Sequence, residues 1–364
     1  MSTATALSSL PVSTESAGQL DPASVQFKAF DVPGSRTVHG KAFPLALALE
    51  DNTSPSLSDV NAHIKQLADR GTIRDLLTQH GVILFRGLPI ETPKDLSSFV
   101  DSFNFVRPHK EVGLSGKRTT VVDNIKTASE MPSNAIFHFH NEYARSAHFP
   151  ELIFFWSELV PQQGGQTPLL SSLELYDRVK QELPELHDQL IFKGIIGRQY
   201  YPSKEDPDWK EIGWNWKDSY GFEIEDGDSL EVQHQKVEAV LEKYLQATGE
   251  WQSNGSLHVL QHVPAIRRVK STGVPTFFNG LAGTYGSAKL NGALEPPYRI
   301  KNGKGYKLPT SFGDGSRIPS EWLDRLIEIQ EAIQFLVPWQ RGDVALVNNY
   351  TVQVIGHPPH LCIC

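Results

Sequence analysis

Cysteine is almost absent from this sequence, and the only two, Cys362 and Cys364, stand at its end. So few thiols exclude a disulfide framework and predict a reducing, cytoplasmic compartment. A zinc site built on cysteine would require this tail to fold back onto the rest of the chain. Long apolar runs are also missing, because stretches such as LIFFW at residues 152–156 are far too short to span a bilayer. We therefore expect a soluble protein without a membrane partner.

Charge and N-terminal composition exclude further classes of protein. The net charge is -8, from 34 basic and 42 acidic residues, and the Lys and Arg are dispersed, which argues against a nucleic-acid surface. Residues 1–25 contain no Lys or Arg, unlike secretory and mitochondrial targeting segments, and their Ser, Thr and Ala predict a disordered leader. The length allows one large domain or two, but no repeat or second composition regime is visible, which favours one domain from residue 26.

Strand and helix patterns alternate along the chain. Short apolar runs that predict buried strands lie at residues 81–88, 152–156, 276–278 and 343–347. Helical periodicity occurs at residues 56–80, after Thr92 and Pro93, after a cap at Ser172, at residues 229–249, and from Pro319 to Leu336, where Pro338 ends it. Early and late strands separated by helices predict an α+β fold with a jelly-roll core and helical decorations.

The most informative stretch is IFHFHNEY at residues 136–143. Its apolar residues alternate with His138, His140 and Glu142, which predicts a strand with three potential metal ligands on one face. Residues two apart are separated by about 6.6 Å, so His140 and Glu142 could share one ion, whereas a separation of four residues, about 13 Å, excludes the pair of His138 and Glu142. A third ligand must come from elsewhere. Two imidazoles and one carboxylate are typical of non-heme Fe(II) oxygenases.

This spacing alone is weak evidence for a metal site. About 1.5 pairs of a His with an acid two residues later are expected by chance. A second such pair, His109 with Glu111, lacks the alternation of a strand. A polar strand face that binds nothing is the alternative for His140 and Glu142. The aromatic segment around Trp209 to Trp216 is interpreted as a loop that packs on the core, with a ligand cage as its alternative.

Several separated segments together resemble the TauD/TfdA-like, or clavaminate-synthase-like, family of Fe(II)- and 2-oxoglutarate-dependent dioxygenases. In the order of that family they are GVILFRGL, FHFHNEYA, FPELIFFWSELVPQQGGQTPLLSS, TGVPTFFN, FGDGSRIP and GDVALVNNYTVQ. The resemblance extends over residues 40–353.

The resemblance implies a double-stranded β-helix within one domain at residues 26–353. It also implies Fe(II) held by a His-x-acid pair and a distal His, with 2-oxoglutarate as cosubstrate on the same ion. His140 and Glu142 match the pair, as metal ligands and catalytic residues. Thr167 matches the threonine that contacts the 2-oxoglutarate carboxylate, although a simple turn residue is the alternative. His138 would then lie behind the ligands or face the substrate.

The chain departs from the family pattern near its C-terminus. The distal His should stand five residues after Asn349, where this sequence has Val354, and the atypical tail at residues 354–364 reads VIGHPPHLCIC. His357 is three residues late and has Gly and Pro neighbours that disfavour a strand. No Arg follows Arg341 to bind the far carboxylate of 2-oxoglutarate.

Two explanations of this break are open. A loop could bring His357 to the metal, or the tail could come from a retained intron, since every Val codon begins with the GT that opens most introns. The chain would then be truncated, which sequencing of the transcript would reveal.

We predict a dioxygenase that uses Fe(II), 2-oxoglutarate and O2 to oxidise, by hydroxylation in the simplest case, a small organic molecule. From the chain as it stands we expect little or no turnover. One alternative is a jelly-roll pseudoenzyme that binds a ligand without turnover, and another is a zinc hydrolase on a similar barrel. Neither the substrate nor the oligomeric state follows from the sequence.

Overall fold

A computed structural model describes residues 25–50, 54–105, 108–113, 119–122, 125–127, 137–206, 209–301, 303–355 and 361–363. Residues 1–24 of the predicted leader, and His357, lie outside the described residues. Within the described part, no helix is long and apolar enough to cross a membrane.

Ten α-helices and nineteen short strands are present in the described segments. The helices are α1 (Leu57–Asp69), α2 (Thr72–His80), α3 (Pro93–Asp101), α4 (Ser172–Glu182), α5 (Pro184–Lys193), α6 (Trp209–Ile212), α7 (Trp216–Tyr220), α8 (Leu230–Val240), α9 (Leu281–Leu290) and α10 (Ser320–Ile333), and a π-helical turn, Leu241–Leu245, follows α8. The strands are β1 (Phe27–Ala29), β2 (Arg36–Val38), β3 (Lys41–Phe43), β4 (Leu45–Leu49), β5 (Val82–Arg86), β6 (Thr120–Val122), β7 (Ile125–Thr127), β8 (Leu152–Trp156), β9 (Thr167–Ser171), β10 (Ile195–Tyr201), β11 (Ala247–Trp251), β12 (Leu257–Val263), β13 (Ile266–Arg268), β14 (Pro275–Phe277), β15 (Ser311–Phe312), β16 (Phe335–Val337), β17 (Val344–Asn348), β18 (Val352–Val354) and β19 (Leu361–Ile363).

The largest sheet has eight strands in the order β1-β4-β5-β17-β8-β19-β7-β6. All its pairs are antiparallel except β4 with β5. Its central strands are apolar on both faces, because successive side chains alternate between two cores. On β5, Ile83 and Phe85 enter a core that α1, α2 and α3 cover, whereas Val82 and Leu84 enter a second core.

A three-stranded sheet, β16-β9-β18, closes this second core from the other side. Leu169 of β9, Phe335 of β16 and Val354 of β18 pack there against Val82 and Val347 of the large sheet. The opposite face of the small sheet is covered by α4, α5, α9 and α10, which bury their apolar sides against it. The predicted mixture of helices and sheets is therefore confirmed.

A four-stranded sheet, β11-β12-β10-β15, lies next to the segment that contains His140, Glu142 and Arg145. Trp216 is buried in its core with Tyr201 and Tyr220, and Trp214 packs against the same cluster. This packing supports the interpretation of the aromatic segment as a core-forming loop.

Several predicted boundaries are wrong. The helix from Ser320 ends at Ile333, and Leu336 lies in β16, whose partner is β9. Residues 229–249 do not form one helix, because α8 gives way to the π-helical turn and then to β11. Ser172 is not a cap but the first residue of α4, and Ser171 caps it. For Leu336, pairing with the distant strand β9 overrides the local helical pattern.

Candidate functional site

The segment that carries His140 is extended but is not a regular strand. His140 forms an isolated antiparallel bridge with Val354, through His140 N–H to Val354 O at 3.2 Å and Val354 N–H to His140 O at 2.9 Å. A turn begins at Glu142 and includes Tyr143, whose φ is +56°. The prediction of a strand to residue 143 is therefore wrong in extent. Side-chain hydrogen bonds of Asn349 and Asn141 take the place of the backbone hydrogen bonds that a regular strand would form here.

The side chains of His140 and Glu142 nevertheless converge. His140 Nε2 lies 3.5 Å from Glu142 Oε1, and Glu142 is buried. His140 Nδ1 lies 2.9 Å from the carbonyl oxygen of His138, and because a carbonyl only accepts, this nitrogen carries the proton. In the neutral imidazole the lone pair is then on Nε2, toward the carboxylate. This is the orientation of a metal-ligating histidine whose second nitrogen is bound to the backbone.

The Asn349 side chain fixes the backbone of Glu142 in both directions. Glu142 N–H donates to Asn349 Oδ1 at 2.8 Å, and Asn349 Nδ2 donates to the carbonyls of Glu142 at 2.9 Å and Pro150 at 2.8 Å. Asn349 is completely buried. The Asn349 amide thus takes the place of a neighbouring strand and fixes the backbone position from which the Glu142 side chain extends.

Asn141, between the two candidate ligands, joins the same network. Its Nδ2 donates to Asn349 O at 2.7 Å and to Val352 O at 3.0 Å, while its Oδ1 accepts from Asn279 N–H at 3.1 Å. Gln353 Nε2 donates to Asn141 Oδ1 at 3.2 Å. Sequence reasoning assigned no role to either asparagine or to Asn279, and only the position of Asn141 between His140 and Glu142 was a signal.

Thr167 points into the core between the eight-stranded and the three-stranded sheets. It lies two residues before Leu169 on β9, so both face the same side, and it is buried. Its hydroxyl oxygen accepts a hydrogen bond from Trp339 Nε1 at 2.8 Å. The Thr167 hydroxyl oxygen is therefore held in place as an acceptor.

The third position of a His, His and carboxylate set is not filled by the described residues. Val354 is paired directly with His140, and directly opposed residues project their side chains to one face. Val354 is buried and apolar. In the described part of the chain, no group of three His, Cys, Asp or Glu side chains is arranged to hold a metal ion. His140 and Glu142 fit two positions of an iron site, and Val354 does not fit the third.

Helix α9 and its N-cap place glycines against His138 and His140. Gly280, Gly283 and Gly286 recur every three residues, and a Cβ on each would face His140, His140 and His138 respectively. The His138 ring packs directly on Gly286, and its buried Nε2 has no hydrogen-bond partner in the described structure. His138 therefore packs against α9.

We expect Gly286→Ala to lower the free energy of unfolding by about 1–3 kcal/mol, the usual cost of overpacking. An added Cβ would lie 2.1 Å from the His138 ring. Gly283→Ala is the matched control, because its Cβ would lie 3.8 Å from His140 Cβ, an ordinary contact, and alanine favours the helix by about 1 kcal/mol. Chemical denaturation of both variants measures the difference, and equal effects would contradict the proposed close approach.

The second His-x-acid pair has other contacts. Glu111 forms an ion pair with Lys126 and accepts a hydrogen bond from Tyr143 Oη at 2.9 Å. His109 stacks on His148, with ring centroids 4.3 Å apart. Burial, and then the nearby His148, lower the pKa of His109 to about 4, although Glu111 partly opposes this shift. His109 is therefore neutral at pH 7, and its carboxylate neighbour is engaged elsewhere.

Known proteins resemble this chain in sequence over most of its length. The family model described as taurine catabolism dioxygenase TauD, TfdA family, matches residues 43–353. A clavaminate synthase-like protein of Arabidopsis thaliana is 29% identical over 327 residues, which are 88% of this chain and 91% of that protein. The dapdiamide synthesis protein DdaC of Enterobacter agglomerans is 24% identical over 303 residues, 81% of this chain and 83% of its own. A taurine dioxygenase structure from Burkholderia xenovorans aligns with a TM-score of 0.45 at 14% identity, covering 93% of this chain and 88% of that one.

Proposed function

Because the chain belongs to the TauD/TfdA family of dioxygenases, we propose that it is an Fe(II)- and 2-oxoglutarate-dependent dioxygenase that oxidises a small organic molecule. The observation that carries the proposal is the convergence of His140 Nε2 and Glu142 Oε1, 3.5 Å apart, at the bridge with Val354. The two sheets that enclose the core with Thr167 would form the double-stranded β-helix of one domain at residues 26–353.

In this proposal each residue has one task. His140 and Glu142 hold the metal, and the bond from His140 Nδ1 to His138 O orients the imidazole. Thr167, anchored by Trp339, offers its hydroxyl to a carboxylate of 2-oxoglutarate. The names of two relatives, clavaminate synthase-like and dapdiamide synthesis, support a small organic substrate.

A second candidate function is the binding of a ligand without turnover. Val354 favours it, because a buried valine opposite His140 supplies no ligand atom.

Metal binding tests the proposal. We expect Co(II) to bind the full chain weakly at one site, and His140→Ala or Glu142→Gln to reduce the affinity at least tenfold, since each removes one of two protein ligands. His262→Ala, which removes an exposed histidine of β12, is the control and should change nothing. Isothermal titration gives the affinities. Equal binding by all four proteins would refute the assignment of the pair.

Turnover separates the two functions. Succinate release from 2-oxoglutarate, in the presence of Fe(II) and ascorbate, would support the dioxygenase. Metal binding that depends on His140 without any succinate would support the ligand-binding alternative. Hydrolytic activity that persists without 2-oxoglutarate would contradict both functions.

A further inference from the structure

Arg145 lies three residues after Glu142 and has no counter-charge among the described residues. Arg145 is half-buried, and its guanidinium carbon lies 5.7 Å from the ring centroid of Tyr143. Across the described segments, no residue accepts a hydrogen bond from this guanidinium or forms an ion pair with it. The carboxylate of Glu111, which the Tyr143 hydroxyl contacts, is already paired with Lys126.

Arg145 meets the face of the β10–β12 sheet that carries Gly197 and Gln261. A Cβ on Gly197 would lie 3.6 Å from Arg145 Cβ. Gly197 is paired with Gln261 on β12, and paired residues share a face of the sheet. The Gln261 side chain therefore stands beside Arg145.

Gln261 also has an unused polar atom. The residue is only 2% exposed, its Nε2 donates to Gln199 Oε1 at 3.4 Å, and its Oε1 has no hydrogen-bond partner among the described residues. A buried amide oxygen without a donor is unfavourable. Gln261 Oε1 and the Arg145 guanidinium, on neighbouring residues, thus both lack a hydrogen-bond partner among the described residues.

Tyr201 closes this cluster on the same face of β10, two residues beyond Gln199. It is buried, and its ring packs edge-on against Tyr220 with centroids 4.9 Å apart. Burial raises the pKa of Tyr201, while the positive charge of Arg145 opposes that rise.

One kind of ligand would satisfy both unpaired groups. A guanidinium binds a carboxylate through two parallel hydrogen bonds, and the Gln261 oxygen needs an N–H or O–H donor. We propose that Arg145 and Gln261 bind the carboxylate and the adjacent donor of a small molecule, as found in an α-amino or α-hydroxy acid. The inference rests on the proposed function in one respect. If His140 and Glu142 hold iron, the acid bound by Arg145 and Gln261 is the substrate or the cosubstrate of that site.

Small fragments test this site without metal or turnover, so the outcome is independent of the iron assignment. The probes are glycolate, which has a carboxylate and an adjacent hydroxyl, acetate, which lacks the hydroxyl, and acetamide, which lacks the charge. By saturation-transfer NMR titration of the full chain, we expect glycolate to bind tighter than acetate, and acetamide not to bind. Arg145→Gln should weaken glycolate binding at least tenfold, and Gln261→Met should reduce glycolate to the level of acetate.

Arg198→Gln is the matched control, because Arg198 lies on the opposite face of β10 and donates to Ser311 Oγ at 2.7 Å. Equal losses in the Arg145 and Arg198 variants, or no binding by the wild type, would overturn the proposal. If Arg145→Gln does not fold, protection of Arg145 from phenylglyoxal by glycolate, mapped by peptide mass spectrometry, replaces it, and absence of protection counts against the site. Displacement of glycolate by 2-oxoglutarate would assign the carboxylate to the cosubstrate, and simultaneous binding would assign it to the substrate.

Discussion

Val354→His is expected to raise the affinity of the chain for Co(II) about 100-fold, which corresponds to about 2.7 kcal/mol. Val354 exchanges both backbone hydrogen bonds with His140, and side chains of such a pair start about 5 Å apart on one face. An imidazole at this place would meet an ion held by His140 and Glu142, and would complete two histidines and one carboxylate. A direct ligand should contribute at least as much as outer contacts do, which is 10- to 100-fold.

The measurement is a Co(II) titration followed by calorimetry and visible absorbance. Val347→His is the control, because Val347 is equally buried in the same core but lies on β17, away from His140. Without metal both variants should be about 1–3 kcal/mol less stable than the wild type, since each buries an imidazole. Only Val354→His should regain stability when Co(II) is added. A similar gain for Val347→His, or none for Val354→His, would refute the geometry.

The parts of the fold that could be predicted are those set by short-range pattern. The apolar runs of β5, β8 and β17 are bounded by turn residues and lie where the sequence indicates them. The cap residues Ser56 and Thr92 accept hydrogen bonds from the third residue of their helices, as their side chains favour. The convergence of His140 and Glu142 also follows from local geometry, because residues two apart on an extended segment share a face.

The parts that could not be predicted depend on distant partners. Thr167 and its neighbours, after two glycines, resemble a turn, yet they form β9 because β16 and β18 pair with it on either side. Helix α9 contains Gly283 and Gly286, which disfavour a helix by about 1 kcal/mol each. Those glycines are explained only by the histidine segment that packs on them.

The candidate site shows the same division. The two candidate ligands are visible in the eight-residue stretch IFHFHNEY, but the bonds that fix Glu142 come from Asn349, which lies 207 residues away. Val354 is marked by the family pattern, but only the bridge shows that it lies opposite His140. Which residues occupy the missing and the supporting positions is therefore a property of tertiary pairing.

Asn349→Leu is expected to lower the free energy of unfolding by about 4 kcal/mol, a large part of the stability of a typical domain. The substitution leaves Glu142 N–H and the carbonyls of Glu142 and Pro150 without the partners that the amide provides. Each unpaired buried group costs about 1–3 kcal/mol. Asn348→Leu is the neighbouring control and should cost less, because its side chain is half-buried and its Oδ1 accepts only from Tyr350 N–H, at 3.0 Å. Equilibrium unfolding in urea measures both.

A positioning role for Asn349 requires a readout that stability alone does not move. Asn349→Asp keeps an acceptor for Glu142 N–H and removes the two donors to Glu142 O and Pro150 O. In the Val354→His background, Asn349→Asp should weaken Co(II) binding at least tenfold under conditions where the protein remains fully folded. The reason is that the backbone of Glu142, which positions its carboxylate, is no longer held in place. Unchanged Co(II) affinity in that folded variant would show that Asn349 stabilises the core without positioning Glu142.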